Sequence, residues 1–142
     1  MSDYVVDASV AAKWLLEEDH TQEALWLLRD PESELHAPDF LLAETDNFLL
    51  KRVRLGHMNL SEARGARATM RNIPIRMHST ADCLDAAFDL AAETGQSVYD
   101  CMYLVVAMRL SGVLATADGR FYKALAGTDY ARFLVWVADL GA

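Results

Sequence analysis

Residues that would mark an extracellular or membrane-bound protein are scarce in this sequence. Only two cysteines occur among the 142 residues, Cys83 and Cys101, and both stand in apolar, helix-like segments without the close spacing of a metal site. We therefore predict two buried, reduced thiols in a cytoplasmic protein rather than a disulfide. No apolar run approaches the ~20 residues needed to cross a bilayer. No basic segment precedes an apolar one at the N-terminus, so no signal peptide is predicted.

Histidine is also rare, and its placement excludes one class of metal centre. None of the four histidines has ligand-type spacing to another histidine or to a cysteine, so a zinc site is not expected. Low-complexity tracts, internal repeats and linker-like runs are absent as well. With 53% hydrophobic residues, residues 1–142 are predicted to form one domain, which at this size buries roughly two-thirds of its unfolded surface.

Positive charge is in short supply overall but is concentrated in one segment. The formal net charge is −8, yet seven of the thirteen basic residues and a single acid lie between Lys51 and Arg76. That segment carries +6 and leaves −14 for the rest of the chain. A phosphate senses charges within about one Debye length, ~8–10 Å at physiological salt, rather than the total. The segment is therefore compatible with a nucleic-acid partner, and two ordinary solvated helix faces are the alternative.

Short apolar segments alternate with helical ones along the chain. Strands are predicted at residues 4–6, 35–37, 75–77, 113–116 and 133–137. Helices are predicted at residues 10–17, 21–29, 39–55, 61–72, 80–94, 98–110 and 120–126. This alternation predicts an α/β fold, with a short, mostly parallel central sheet and helices on both faces. Active sites of such sheets form outside the carboxyl ends of the strands, so polar residues following the first and fourth strands should be neighbours.

Two aspartates occupy these positions after the first and fourth strands. Asp7 directly follows the apolar first strand, and Asp118 lies just past the fourth. Each has an alternative role as the N-cap of the helix that follows, which is a common use of aspartate. From position alone, both roles stay open for both residues.

Two further acids interrupt apolar helix faces. Phe40, Glu44 and Phe48 lie one above the other at i, i+4 and i+8, so Glu44 breaks an aromatic stripe. Asp100 stands in the helix VYDCMYLVVAM, which is apolar on nearly every side. A carboxylate on a buried face is unfavourable unless it is paired or bound to a metal. For Asp100 a capping box with Ser97 is the alternative, since SVYD has the required spacing, and the two roles can coexist.

Convergence of these four acids would require cations. Two carboxylates ~5 Å apart repel each other by roughly 3 kcal/mol at an effective dielectric constant near 20, so no core would gather four of them unaided. Ligands that are all oxygen atoms favour Mg²⁺ or Mn²⁺ over zinc. Hard cations on carboxylates suit displacement at phosphorus, in which the metal activates water and neutralises charge on the attacked and leaving oxygens.

The segments that carry these acids resemble the motifs of the PIN-domain family, most closely its VapC-like toxin ribonucleases. VVDASVAAKWLLEE (5–18) resembles the opening strand and helix with a D-x-S motif, and APDFLLAETDNFL (37–49) resembles the helix that bears the family glutamate. SVYDCMYLVVAM (97–108) resembles the Tyr-Asp-Ala helix, with Cys101 in place of the usual alanine. LATADGRF (114–121) resembles the Thr-x-Asp motif after the fourth strand. All four occur in order, and together they form a more specific signal than any one of them.

The resemblance implies a PIN-like three-layer fold and an endoribonuclease, dependent on Mg²⁺ or Mn²⁺, that cleaves single-stranded regions of RNA. It also implies the toxin of a toxin–antitoxin pair, a homodimer, and inhibition by a cognate antitoxin protein that covers the active cleft. The catalytic and metal-binding residues would be Asp7, Glu44, Asp100 and Asp118. Asp7 and Asp100 would be the principal ligands, Glu44 would bind directly or through water, and Asp118 would hold a second metal or orient the attacking water.

Further residues would support these acids or contact the substrate. Ser9 and Thr116, each two residues from an acid, have hydroxyls placed to support it or to meet a bound phosphate. Asn47, three residues after Glu44 on the same helix face, would orient it by hydrogen bonding. Asp46, two residues after Glu44, points about 200° further round the helix and is interpreted as a polar-face or rim residue. The candidates for contact with the RNA backbone are Lys13, Lys51, Arg52 and Arg54.

Three functions of other classes stay open. A phosphatase or phosphoreceiver could use a similar sheet, but a haloacid-dehalogenase-type phosphatase needs an aspartate where Ser9 stands. A phosphoreceiver needs an acidic pair near the first strand, and Asp3 and Asp7 are poorly spaced for it. The third possibility is a non-catalytic, metal-binding module that interacts with RNA or protein. Loss of metal-dependent RNA hydrolysis in Asp100→Asn would separate this module from a nuclease.

Overall fold

The computed structural model describes all 142 residues. The five strands are β1 (Ser2–Val6), β2 (Ser33–Pro38), β3 (Ile75–His78), β4 (Val113–Thr116) and β5 (Leu134–Trp136). The seven α-helices are α1 (Ala8–Leu15), α2 (Thr21–Arg29), α3 (Leu41–Arg54), α4 (Leu60–Asn72), α5 (Thr80–Thr94), α6 (Val98–Leu110) and α7 (Gly119–Leu125). Short 3₁₀ turns at Asp129–Phe133 and Val137–Asp139 flank β5. Every predicted strand and helix is confirmed, with shifts of a few residues at most of the ends.

One shift, at the end of β2 and the start of α3, has a clear structural cause. Pro38 was expected to open the helix, but it is the last residue of β2 and pairs in register with His78 of β3. The backbone amide of Asp39 continues this pairing by donating to the His78 carbonyl at 2.8 Å. A proline is tolerated at the end of a strand, where little of the ladder depends on its missing N–H. Helix α3 therefore begins only at Leu41.

The sheet is parallel throughout and has the strand order β3-β2-β1-β4-β5. The sequence predicted a mostly parallel sheet. Strands β2 and β3 are added on one side of β1, and β4 and β5 on its other side. The direction in which strands are added therefore reverses between β1 and β4. Ligands of open α/β sheets bind in the crevice outside the carboxyl ends of the strands at such a reversal. Asp7 and Asp118 follow the two strands that flank this crevice.

Helix α6 forms the centre of the core. All residues from Cys101 to Ala107 are buried, and the helix packs on β1, β2 and β4 as well as on α5. A helix that is apolar all round is expected to be covered on all sides. Across the sheet, α2 contacts β2, and its Trp26 meets Tyr4 of β1 edge to face at 6.1 Å between ring centroids.

The chain leaves α6 through a tight connection to β4. Ser111 ends the helix in the left-handed region, with φ at 52°. A Cβ atom on the next residue, Gly112, would lie 2.5 Å from the carbonyl oxygen of Asp3. Only glycine fits this approach, and it lets β4 lie directly beside β1.

The structure also describes the two cysteines and the apolar character of the helices. Cys83 and Cys101 are both buried and unpaired. None of the helices combines the length and the apolar character needed to span a membrane.

Candidate active site

Asp7 lies at the carboxyl end of β1, only 7% exposed. Its Oδ1 accepts hydrogen bonds from the Ser9 hydroxyl at 2.5 Å and from the Val10 amide at 3.1 Å, and its Oδ2 accepts one from the Thr116 hydroxyl at 2.5 Å. Burial raises the pKa of Asp7 to about 6, although these hydrogen bonds lower it. The bond to Val10 makes Asp7 the N-cap of α1, so the capping role and a place in the acidic site coexist.

Ser9 and Thr116 link the ends of β1 and β4. The Ser9 hydroxyl accepts the Ala117 amide at 2.9 Å, and the Thr116 hydroxyl accepts the Asp118 amide at 3.1 Å. Each hydroxyl thus donates to Asp7 and accepts from the chain just beyond β4. Asp118 in turn caps α7, its Oδ1 accepting the Phe121 amide at 3.2 Å. The predicted proximity of polar residues after the first and fourth strands is confirmed by these bonds.

Asp100 enters the site from the first turn of α6 and is half-buried. The Ser97 hydroxyl caps this helix by accepting the Asp100 amide at 3.0 Å. The Asp100 carboxylate makes no return bond to the Ser97 backbone amide, so the capping box is not closed. Its side-chain interaction with the Ser97 hydroxyl lowers the pKa of Asp100. Burial is the main cause that raises the pKa of Asp100, and the charge of Asp118 raises it further.

Glu44 reaches the site from the first turn of α3. Its Oε1 accepts a hydrogen bond from the hydroxyl of Tyr103 at 2.5 Å. Burial raises the pKa of Glu44, the Tyr103 bond lowers it, and the charge of Asp100 raises it. Asn47, predicted to orient Glu44, is exposed and makes no hydrogen bond to it. Sequence reasoning missed Tyr103, although a phenol three residues after Asp100 in an apolar helix offered a signal.

The four predicted acids are linked electrostatically, and each of the three links involves Asp100: it acts on Asp7 and on Glu44, and Asp118 acts on it. The charge of Asp100 raises the pKa of both Asp7 and Glu44. None of the four carboxylates forms an ion pair with a lysine, arginine or histidine. Buried acids without cationic partners are unfavourable, and oxygen ligands alone suit Mg²⁺ or Mn²⁺. The donor set therefore fits a divalent cation.

Comparison with known proteins places this arrangement in a family. The PIN domain family matches residues 4–125, a span that runs from β1 to the end of α7 and contains all four acids. The chain belongs to the PIN-domain family. This confirms the resemblance drawn from the sequence motifs.

Individual relatives of this PIN domain agree with the assignment. Ribonuclease VapC3 of Pyrobaculum aerophilum is 33% identical over 116 residues, which cover 80% of this chain and 88% of the relative. The crystal structure of PAE2754 from the same organism superposes with a TM-score of 0.68 at 25% identity, covering 96% of this chain and 92% of that one. VapC20 of Mycobacterium tuberculosis, described as a toxin that cleaves the sarcin-ricin loop, has a TM-score of 0.65 at 22% identity, covering 85% and 94%.

The basic residues predicted to contact RNA differ in their surroundings in the PIN domain. Lys13 lies 3.6 Å from Glu18, and Arg52 lies 3.2 Å from the same carboxylate. Lys51 and Arg54 are exposed and form no ion pair. Asp46, interpreted as a polar-face residue, accepts hydrogen bonds from two arginines of α4 at 3.0 and 3.2 Å, Arg67 and Arg71.

A second group of polar side chains lies towards the other end of the strands. Ligand atoms of Asp3, Glu34 and His36 lie within 4.8 Å of one another. These side chains already have partners: His36 contacts Asp3 at 3.0 Å and His78 at 2.9 Å through its two ring nitrogens, and Glu34 pairs with Arg76. In the PIN domain it is the Asp7–Glu44–Asp100–Asp118 cluster, and not this one, that lacks positive partners.

Proposed function

We propose that this PIN domain is an endoribonuclease, dependent on Mg²⁺ or Mn²⁺, that hydrolyses single-stranded regions of RNA. The observation that supports the proposal most directly is that four carboxylates near the reversal of strand order are coupled through the charge of Asp100 and have no ion-pair partner. Asp7 is the most buried of them, and its raised pKa reflects an environment that disfavours its charge. A bound cation would offset both the burial and the repulsion from Asp100.

Each acid has a role consistent with its position. Asp7 and Asp100 would hold the cation, and Glu44 would bind it directly or through water. When bound, the cation would activate the attacking water and neutralise charge on the leaving oxygen. Asp118 uses Oδ1 to cap α7, which leaves Oδ2 to orient that water or to hold a second cation. Ser9 and Thr116 fix the orientation of the Asp7 carboxylate.

The substrate contact follows from charge and helix geometry. Lys51 lies seven residues after Glu44 on α3, which places it on the same face about 10 Å further along the axis. Lys51 and Arg54 are therefore proposed to bind phosphates of an RNA strand that passes the acidic cluster. Such contacts position the backbone without reading bases.

We further propose that the chain is the toxin of a toxin–antitoxin pair and forms a homodimer. Support comes from the 33% identity to Ribonuclease VapC3 and from the four motifs in their expected order. A cognate antitoxin would inhibit the nuclease by covering the acidic cluster.

The test is RNA cleavage by the purified, antitoxin-free protein. A pool of tRNA and rRNA fragments is incubated with Mg²⁺, with Mn²⁺ or with EDTA, and the wild type is compared with Asp100→Asn. Asp85→Asn, which changes an exposed aspartate on α5, is the matched control. We expect discrete cuts from the wild type and from Asp85→Asn that EDTA abolishes and that Asp100→Asn cannot make. Cuts that persist in EDTA would contradict the metal dependence. A wild type that binds Mn²⁺ in calorimetry but leaves the RNA intact would point to a non-catalytic module.

A further inference from the structure

Tyr103 is the largest fully buried side chain of the protein, 2% exposed. Its hydroxyl meets Glu44 Oε1 at 2.5 Å, across 59 positions of the chain and between two different helices. We propose that Tyr103 is a positioning residue of the active site, whose hydroxyl holds the Glu44 carboxylate beside Asp100 for cation binding. This inference rests on the proposed function and deepens it.

The donor is fixed more rigidly than the acceptor. Tyr103 lies three residues after Asp100 on α6, so the helix backbone sets the relation between the two side chains. The ring is also packed against Phe40, with centroids 5.1 Å apart and an interplanar angle of 59°. Glu44, by contrast, reaches the site from α3 on a side chain with three rotatable bonds. The hydroxyl therefore provides a fixed point to which the flexible glutamate is attached.

Electrostatic repulsion explains why such an attachment is needed. Glu44 faces the charge of Asp100, and both are half-buried. Without a donor, the glutamate is expected to rotate towards solvent, away from the other acids. No lysine or arginine pairs with Glu44, and Asn47 makes no bond to it, so Tyr103 supplies its one side-chain hydrogen bond.

The geometry leaves the second oxygen of Glu44 available. Oε1 is occupied by the Tyr103 hydroxyl, and Oε2 accepts no hydrogen bond from the protein. Partners that orient ligand side chains typically change metal affinity or activity ~10–100-fold when they are removed. If Tyr103 served only to fill the core, its contribution would come from the ring, and removal of the hydroxyl would not change cation binding.

The experiment replaces Tyr103→Phe, which keeps the ring and removes only the hydroxyl. Tyr130→Phe is the matched control, because it removes a hydrogen bond of the same chemistry, from Tyr130 to Glu93 at 2.7 Å, and Glu93 is not one of the four acids of the site. Binding of Mn²⁺ is measured without RNA by calorimetry, and kcat and KM are measured with a cleaved RNA fragment. We expect Tyr103→Phe to weaken Mn²⁺ binding ~10–100-fold and to lower kcat at limiting Mn²⁺, with KM for RNA unchanged. Tyr130→Phe should match the wild type.

A double-mutant cycle tests whether Tyr103 acts through Glu44. In the Glu44→Ala background, Tyr103→Phe should cause no further loss of Mn²⁺ affinity, because the bond it removes is already gone. An equal loss in both backgrounds, or wild-type Mn²⁺ binding by Tyr103→Phe, would overturn the inference. These outcomes differ from a failure of the proposed function, in which the wild type binds Mn²⁺ but cleaves no RNA. A wild type that binds no Mn²⁺ would overturn both.

Discussion

At the scale of single residues, Asp7 shows most clearly how the site departs from an ordinary core. Three hydrogen bonds stabilise its charged form, yet burial outweighs them and raises its pKa to about 6. An acid whose pKa is higher in the folded than in the unfolded protein destabilises the fold once the pH exceeds its unfolded pKa. Asp7 therefore lowers the stability of the metal-free protein as the pH rises from about 4 to about 6.

We predict that Asp7→Asn stabilises the metal-free protein at pH 7.5, because asparagine keeps an acceptor oxygen but carries no buried charge. The free energy of unfolding should increase by about 1–3 kcal/mol, measured by urea unfolding in EDTA between pH 4 and 8. Near pH 4 the advantage should disappear. Mn²⁺ should stabilise the wild type and leave Asp7→Asn unchanged. If the variant is less stable than the wild type at pH 7.5 in EDTA, the account of Asp7 is wrong.

At the scale of elements, α6 divides two tasks between neighbouring residues. Ser97 caps the helix through its hydroxyl, and Asp100 contributes its amide to the cap while its carboxylate faces the site. From the sequence, the spacing of SVYD could not separate a capping box from a site residue. The structure distinguishes the two roles, because the Asp100 carboxylate makes no hydrogen bond to the Ser97 backbone amide, which a capping box would require.

Because Ser97 and Asp100 have different tasks, substitutions of the two residues should change different properties, namely stability for Ser97 and cation affinity for Asp100. Ser97→Ala should lower the free energy of unfolding by about 1 kcal/mol, since an amide at the helix start loses its acceptor, and should leave Mn²⁺ affinity unchanged. Asp100→Asn should abolish Mn²⁺ binding without loss of stability in EDTA. Thermal unfolding and calorimetry measure the two properties. Marked destabilisation by Asp100→Asn in EDTA would show that its carboxylate does cap the helix.

The order of the elements was readable from the sequence, but several contacts between them were not. Hydrophobic periodicity depends on residues close along the chain, and it located all five strands and seven helices. Pro38 was assigned to the wrong element because its pairing with His78 of β3 is a long-range contact. The hydrogen bond from Tyr103 to Glu44 was missed for the same reason.

At the scale of the whole molecule, fewer basic side chains of the segment 51–76 are available to a partner than the sequence suggested. The segment 51–76 carries seven basic residues, but folding pairs four of them with acids elsewhere in the chain. The paired residues are Arg52, Arg67, Arg71 and Arg76. Lys51, Arg54 and Arg64 remain exposed without an ion pair. Within this segment, free positive charge is thus confined to three positions, two of them at the end of the helix that carries Glu44.

We predict that Lys51→Gln and Arg54→Gln weaken RNA binding through lost phosphate contacts. In the Asp100→Asn background, which prevents cleavage, the slope of log affinity against log salt should become shallower by roughly 0.7 per lost contact on single-stranded RNA. Arg67→Gln is the control, because Arg67 is already bound to Asp46 at 3.0 Å. Fluorescence anisotropy across a salt series gives the slopes. If all three substitutions change the salt slope equally, the proposal that the RNA strand runs along α3 is wrong.

The sequence by itself determined the family, the alternation of strands and helices, and the four acids of the candidate site. These features follow from motifs and periodicities that are written in short stretches of chain. Only the tertiary structure decided which groups hold those acids and which basic side chains remain without an ion pair. Ser9 and Thr116 meet at Asp7, Tyr103 binds Glu44, and arginines are neutralised by distant acids. Such pairings depend on how elements pack against each other, and packing brings together residues that no local pattern connects.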